Sequence, residues 1–305
     1  MYEDSSPIGS LVHLYFDGAF SRRELVRRVA GHTGSIAAAA AVLTSMGVAE
    51  AQQLACPDDV RVPEDAPDLV LQDVQFPGDA GPIFAYMAQP RTDDPSPIPC
   101  VVVIQQNRGL VDYIKDVTRR VARAGYVSLG VDLLSRQGGT QQFPDPVTQM
   151  QAYNRTTQPE RRADLISSLA YLKTLPSVQA NALGAVGFCA GGGNCWDLAV
   201  NSRDVSAAVV FYGAPPSPIE MLDNLAGPVL GNYAELDRNL TGQTPAIISG
   251  LLSRQKTFGL HIYQGANHAF HDDTGPAYNP AAACEAWAKT IAWFDKFLKS
   301  KSAPA

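Results

Sequence analysis

The chain has 305 residues, 46% of them hydrophobic and 18% charged, with 25 glycines and 22 prolines. That composition describes a folded protein with a sizeable core and many turns, and excludes a disordered or coiled-coil one. A formal net charge of −6 offers no basic footprint, so nucleic acid is excluded as a partner.

The first elements lie in residues 1–55. Ser21-Arg22-Arg23-Glu24-Leu25-Val26 precedes an Ala-rich apolar stretch from Gly34 to Val48, and Ala49-Glu50-Ala51 has the small-x-small form of a cleavage site. This pattern looks like a twin-arginine export signal, which would send the protein to the periplasm. The other reading is a helical extension, with helices at Arg22–Arg28 and Ser35–Ser45 packing on the body or on a second subunit of a homodimer. That second reading leaves the protein in the cytoplasm. The apolar stretch is too short and too weakly hydrophobic for a membrane span. Residues 56–67, polar and proline-containing, read as a linker.

From residue 68 to 305, strand-like and helix-like segments alternate as in a sheet layered between helices. Leu69–Phe76 and Ile83–Ala88 form an antiparallel opening pair. Cys100–Gln105 is a continuous apolar run, expected of a strand buried on both faces. The helix Tyr113–Ala124 and the strand Tyr126–Val131 follow, then a long excursion through Gln137–Pro159 and the helix Glu160–Leu175. The remaining strands are Ala182–Phe188, Ala207–Tyr212, Pro228–Tyr233 and Gly259–Tyr263, with helices at Pro245–Arg254 and Pro280–Lys299. The fold class is therefore α/β, with a mostly parallel central sheet flanked by helices and an N-terminal helical extension.

The chemistry concentrates in Gly187-Phe188-Cys189-Ala190-Gly191, where a strand runs through Gly-x-Cys-x-Gly into a small-residue helix start. This is the pattern of a nucleophile elbow, here carrying a thiol. Glycines two before and two after are required because a side chain there would meet the neighbouring strand or helix. The helix N-terminus favours a thiolate and, later, an oxyanion. A thiolate needs a base, and the base needs an orienting acid. After the strand ending at Tyr233 comes Asp237, with Glu235 as the fallback acid; after the strand ending at Tyr263 comes His268, with His271 as the fallback base. The chain order nucleophile, acid, histidine, each on a loop at a strand end, is that of a hydrolase sheet. The five cysteines, Cys56, Cys100, Cys189, Cys195 and Cys284, show no CxxC spacing. Cys100, Cys195 and Cys284 read as small buried hydrophobes, and structural disulfides stay open.

These residues resemble the dienelactone hydrolase (carboxymethylenebutenolidase) family of α/β-hydrolases over about residues 68–300. The matching stretches are Val101-Val-Val-Ile-Gln105-Gln106-Asn107-Arg108-Gly109, Asp132-Leu-Leu-Ser-Arg136, Gly187-Phe-Cys-Ala-Gly-Gly192, Asp237 and Gly265-Ala-Asn-His268-Ala-Phe270. The resemblance implies a triad of Cys189, Asp237 and His268 that hydrolyses lactones or small esters through a thioester. It also implies an oxyanion hole from the N–H groups of Asn107 and Ala190, and no metal or organic cofactor. Arg136 stands where the family places an arginine for a substrate carboxylate; Gln106 and Arg108 are the other candidate substrate contacts. Two positions depart from the family. Gln106 replaces a glutamate beside the first core strand, and Asp272 replaces a second substrate-binding arginine, which disfavours an anionic substrate.

Two other readings compete. The departures at Gln106 and Asp272 permit a hydrolase scaffold turned into a ligand-binding or sensor protein, and a Cys189–Cys195 disulfide would make Cys189 a redox thiol.

Overall fold

The computed structural model describes residues 60–302 throughout and, before them, only short stretches, of which 22–35 is the longest. The chain divides into two compact units, Met1–Val60 and Arg61–Ala305.

In the first unit the paired arginines open a helix, α1 (Arg22–Thr33). Its Leu25, Val26 and Val29 are buried together with Ala39 and Leu43. The expected cleavage site at 49–51 lies outside the described residues. Among those residues, no helix is long and apolar enough to cross a membrane.

The second unit holds one eight-stranded sheet in the order β1-β2-β4-β3-β5-β6-β7-β8. The strands are β1 (Leu69–Gly78), β2 (Gly81–Pro90), β3 (Ile98–Ile104), β4 (Val127–Val131), β5 (Val178–Phe188), β6 (Val205–Phe211), β7 (Val229–Ala234) and β8 (Phe258–Tyr263). The β1–β2 and β2–β4 pairings are antiparallel, and every pairing from β4 through β8 is parallel. The helices are α2 (Asp112–Arg123), α3 (Pro146–Arg155), α4 (Gln158–Lys173), α5 (Ala190–Asn201), the single turn α6 (Arg238–Thr241), α7 (Thr244–Ser253) and α8 (Pro280–Phe297).

The apolar run of β3 shows why the sheet sits between two layers. Cys100, Val102 and Ile104 pack with Leu165, Leu169 and Leu172 of α4 and with Cys195, Trp196 and Leu198 of α5. The alternate residues Val101 and Val103 pack with Ile114, Val117 and Val121 of α2 and with Phe294 of α8. A strand in the middle of a parallel sheet has no wet face, so every position is apolar. Each large side chain so buried contributes about 1.5–3 kcal/mol.

Three expectations change. The excursion 137–159 contains α3, which starts after Asp145; that carboxylate accepts from the N–H groups of Val147 and Thr148, with Pro146 at the first turn. The second half of the expected linker is packed on the body: Val62 N–H donates to Asp116 at 2.7 Å and Val62 O accepts from Arg119 at 2.6 Å. Cys284 is disulfide-bonded, so it is not the free buried thiol expected, whereas Cys100 and Cys195 are free and buried.

Candidate functional site

The register aligns Ile104 of β3 with Gly187 of β5 and with Val131 of β4, and Phe188 of β5 with Phe211 of β6. The carboxyl ends of β3, β5 and β6 are therefore level, and β7 and β8 continue the same edge through Ala234 and Tyr263. Loops leaving these ends converge, and they carry Gln106, Cys189, Tyr212, Asp237 and His268.

Cys189 stands between the last residue of β5 and the first of α5 with φ 57° and ψ −120°, a conformation few non-glycine residues adopt. The flanking glycines make this turn sterically possible. A Cβ on Gly187 would lie 2.0 Å from the Gly191 carbonyl oxygen, and one on Gly191 would lie 2.2 Å from the Gln105 oxygen and 2.4 Å from that of Ile104. The first turn of α5 thus rests directly on the end of β3, bringing Ala190 beside the Gln105–Asn107 turn. As the first helical residue, Ala190 has an N–H with no partner inside the helix. Among the described residues, nothing accepts from the N–H of Ala190 or of Asn107.

The turn directs the thiol toward the histidine loop. His268 Nε2 is 3.0 Å from Cys189 Sγ, and His268 Nδ1 is 2.6 Å from Asp237 Oδ2. The Asp237 side chain is largely buried and also accepts from Leu240 N–H at the start of α6. The histidine loop is fixed from both sides, by Leu236 N–H on the Ala266 carbonyl at 2.9 Å and by Gly265 N–H on Glu235 Oε2 at 2.7 Å. The imidazole is pushed up to about 9, first by its hydrogen bond to the Cys189 sulfur against partial burial, then by that sulfur's charge and by Asp237.

The fallback residues serve otherwise. Glu235 braces Gly265. His271 is buried, its Nδ1 bonded to the Tyr113 hydroxyl at 2.8 Å; burial, followed by the nearby Arg120 charge, holds it well below the usual histidine range. Cys195 Sγ faces the sheet, within 3.4 Å of the Val209 carbonyl oxygen, and both Cys189 and Cys195 are free.

The candidate substrate contacts separate. Arg136 is not joined to the thiol, histidine or Gln106; its guanidinium holds the buried Asp164 at 2.8 Å, Asp79 and the Glu160 carbonyl. Gln106 and Arg108 do come together. Gln106 Nε2 donates to Asp272 Oδ2 at 3.2 Å, while Arg108 Nη2 donates to Gln106 Oε1 at 3.1 Å and to Asp272 Oδ2 at 3.2 Å.

Sequence reasoning missed two aromatic neighbours. Tyr212, at φ 39° just past β6, sets its ring 5.0 Å from that of His268. Tyr153 of α3 joins Leu134, Ala152 and Phe143 in a cluster that packs against Ala190. Tyr212 had a signal in its place at a strand end; Tyr153 had none. A cavity of about 480 Å³, lined by Phe84, Leu110, Lys115, Asp132, Thr140 and Phe143 among others, opens beside this cluster, and neither the thiol nor the imidazole lines it.

The dienelactone hydrolase family model matches residues 83–298. A protein of Methylorubrum extorquens provisionally named carboxymethylenebutenolidase is 30% identical over 76% of this chain and 83% of its own length. One from Escherichia coli O157:H7 with the same provisional name is 28% identical over 80% of this chain and 92% of its own. Among solved structures, a provisionally titled dienelactone hydrolase from Klebsiella pneumoniae superposes with a TM-score of 0.69 at 27% identity, covering 75% of this chain and 99% of that one.

Proposed function

Because this chain belongs to the dienelactone hydrolase family and is an ester-hydrolysing enzyme, we propose that it cleaves carboxylic esters or lactones with Cys189 as nucleophile, through a thioester acyl-enzyme. The observation that carries this reading is the unbroken contact from sulfur to imidazole to carboxylate, at 3.0 and 2.6 Å, on a turn that holds the sulfur clear of the sheet.

The Cys189 thiolate attacks the ester carbonyl carbon. The negative charge that develops on the carbonyl oxygen is taken up by the N–H groups of Ala190 and Asn107, each such donor contributing about 3 kcal/mol to the transition state. The tetrahedral intermediate collapses, the carbon–oxygen bond breaks, and the departing alkoxide takes the proton from His268 Nε2. In the second half, neutral His268 accepts a proton from water, the resulting hydroxide attacks the thioester, and the acid departs as the thiolate–imidazolium pair re-forms. Asp237 fixes the tautomer throughout: with Nδ1–H donated to its carboxylate, Nε2 is the atom that faces the thiol.

Cys189→Ala tests the reading in an assay of p-nitrophenyl ester hydrolysis. Turnover is expected to vanish while ligand affinity stays. Turnover that survives would overturn the nucleophile, and a wild-type protein that binds esters without hydrolysing them would favour a sensor.

A further inference from the structure

An anionic substrate needs a cation whose charge is not already cancelled by a carboxylate, and Arg136 and Arg108, the two arginines that the sequence offered for that role, are both cancelled. Arg136 is held by Asp164 and Asp79. Arg108, in the loop after β3, is held by Asp272, whose side chain is 3% exposed. Arg161 donates to Asn194 and to the Thr156 carbonyl and hydroxyl, and lies 4.7 Å over the ring of Tyr153. Lys115 faces the neighbouring cavity, which Asp73, Asp112 and Asp132 line as well. Ala190, next to the sulfur, packs on the buried apolar cluster of Leu134, Ala152 and Tyr153.

We infer that the site takes uncharged esters or lactones, and that Asp272 sets this preference by neutralising Arg108. The inference rests on the proposed thiol mechanism, since it places the acyl group beside Cys189. Gln106 completes the device. Its amide nitrogen donates to Asp272 and its oxygen accepts from Arg108, so a neutral side chain bridges the pair where a second carboxylate would compete for the guanidinium.

The test compares kcat/KM for two esters of similar size, p-nitrophenyl butyrate, which is neutral, and p-nitrophenyl hemisuccinate, which carries a carboxylate on its acyl arm. The wild-type protein is expected to favour butyrate by about tenfold or more. Asp272→Asn keeps the oxygen that accepts from Thr274 N–H and removes the charge; it is expected to move the ratio toward hemisuccinate by about tenfold, less at high salt. Arg108→Gln leaves Asp272 unopposed and is expected to move the ratio the other way. A wild-type preference for hemisuccinate, or ratios unchanged in both variants with unaltered circular dichroism, would overturn the inference. Butyrate hydrolysis that survives Cys189→Ala would instead defeat the mechanism beneath it.

Discussion

Gly191→Ala tests how the start of α5 is seated on the end of β3. The added Cβ would lie 2.2 Å from the Gln105 oxygen and 2.4 Å from the Ile104 oxygen. Both obstacles are backbone, so neither can rotate away. Opening the shorter contact to 3.0 Å requires a withdrawal of 3.0 − 2.2 = 0.8 Å at this point. Overpacking of this kind costs about 1–3 kcal/mol, and the better helix propensity of alanine returns about 1 kcal/mol. The net loss of up to about 2 kcal/mol lowers Tm by up to about 8 °C in a domain of this size. The rate suffers more, because Ala190 N–H moves with its neighbour and a misplacement near 1 Å costs about 100-fold in kcat. The control is Gly193→Ala, whose Cβ would stand an ordinary 3.7 Å from the Ala214 oxygen. Calorimetry and ester hydrolysis on both variants decide the matter. A Gly191→Ala protein with Tm within about 1 °C of wild type and with undiminished kcat would refute the reasoning.

Further outcomes follow from the charges. With the His268 imidazole pushed up to about 9, the proton donated to the leaving group is present below that pH and lost above it, so kcat/KM is expected to fall through an alkaline limb near pH 9. A pH profile flat to pH 10.5 contradicts the pair. The same shift gives a stability sign. The folded state holds this proton more tightly than the usual histidine value of 6.5, so its contribution is complete below 6.5 and is lost as pH rises toward about 9. Tm measured across that window should decline, and the decline should flatten in His268→Gln. Arg136→Met strips the buried Asp164 of its partner, a change expected to cost about 3 kcal/mol. A urea midpoint equal to wild type would show that Asp164 is not held as described.

The fold was legible because its signals were local. The β3 run is apolar at every position because both faces are covered, and the glycines around Cys189 are required by backbone contacts at 2.0 and 2.2 Å. Asp237 and His268 could be read from chain order because parallel strands deliver their loops to one edge. Side-chain direction was not legible. Nothing in Asp132-Leu-Leu-Ser-Arg136 says that Arg136 turns to Asp79 and Asp164, residues far apart in the chain. Nothing in Gln106-Asn107-Arg108 says that Arg108 reaches Asp272. The tertiary partner decides such ion pairs, and it lies outside any local window. The disulfide of Cys284 was missed for the same reason.

The most direct measurement is intact-protein and peptide mass spectrometry after rapid quenching with p-nitrophenyl butyrate. The thioester mechanism predicts a single acyl group, carried by the peptide containing Cys189, accumulating in the wild-type protein and absent from His268→Ala. An acyl group on another residue, or steady ester turnover with residue 189 unmodified at every quench time, would contradict it.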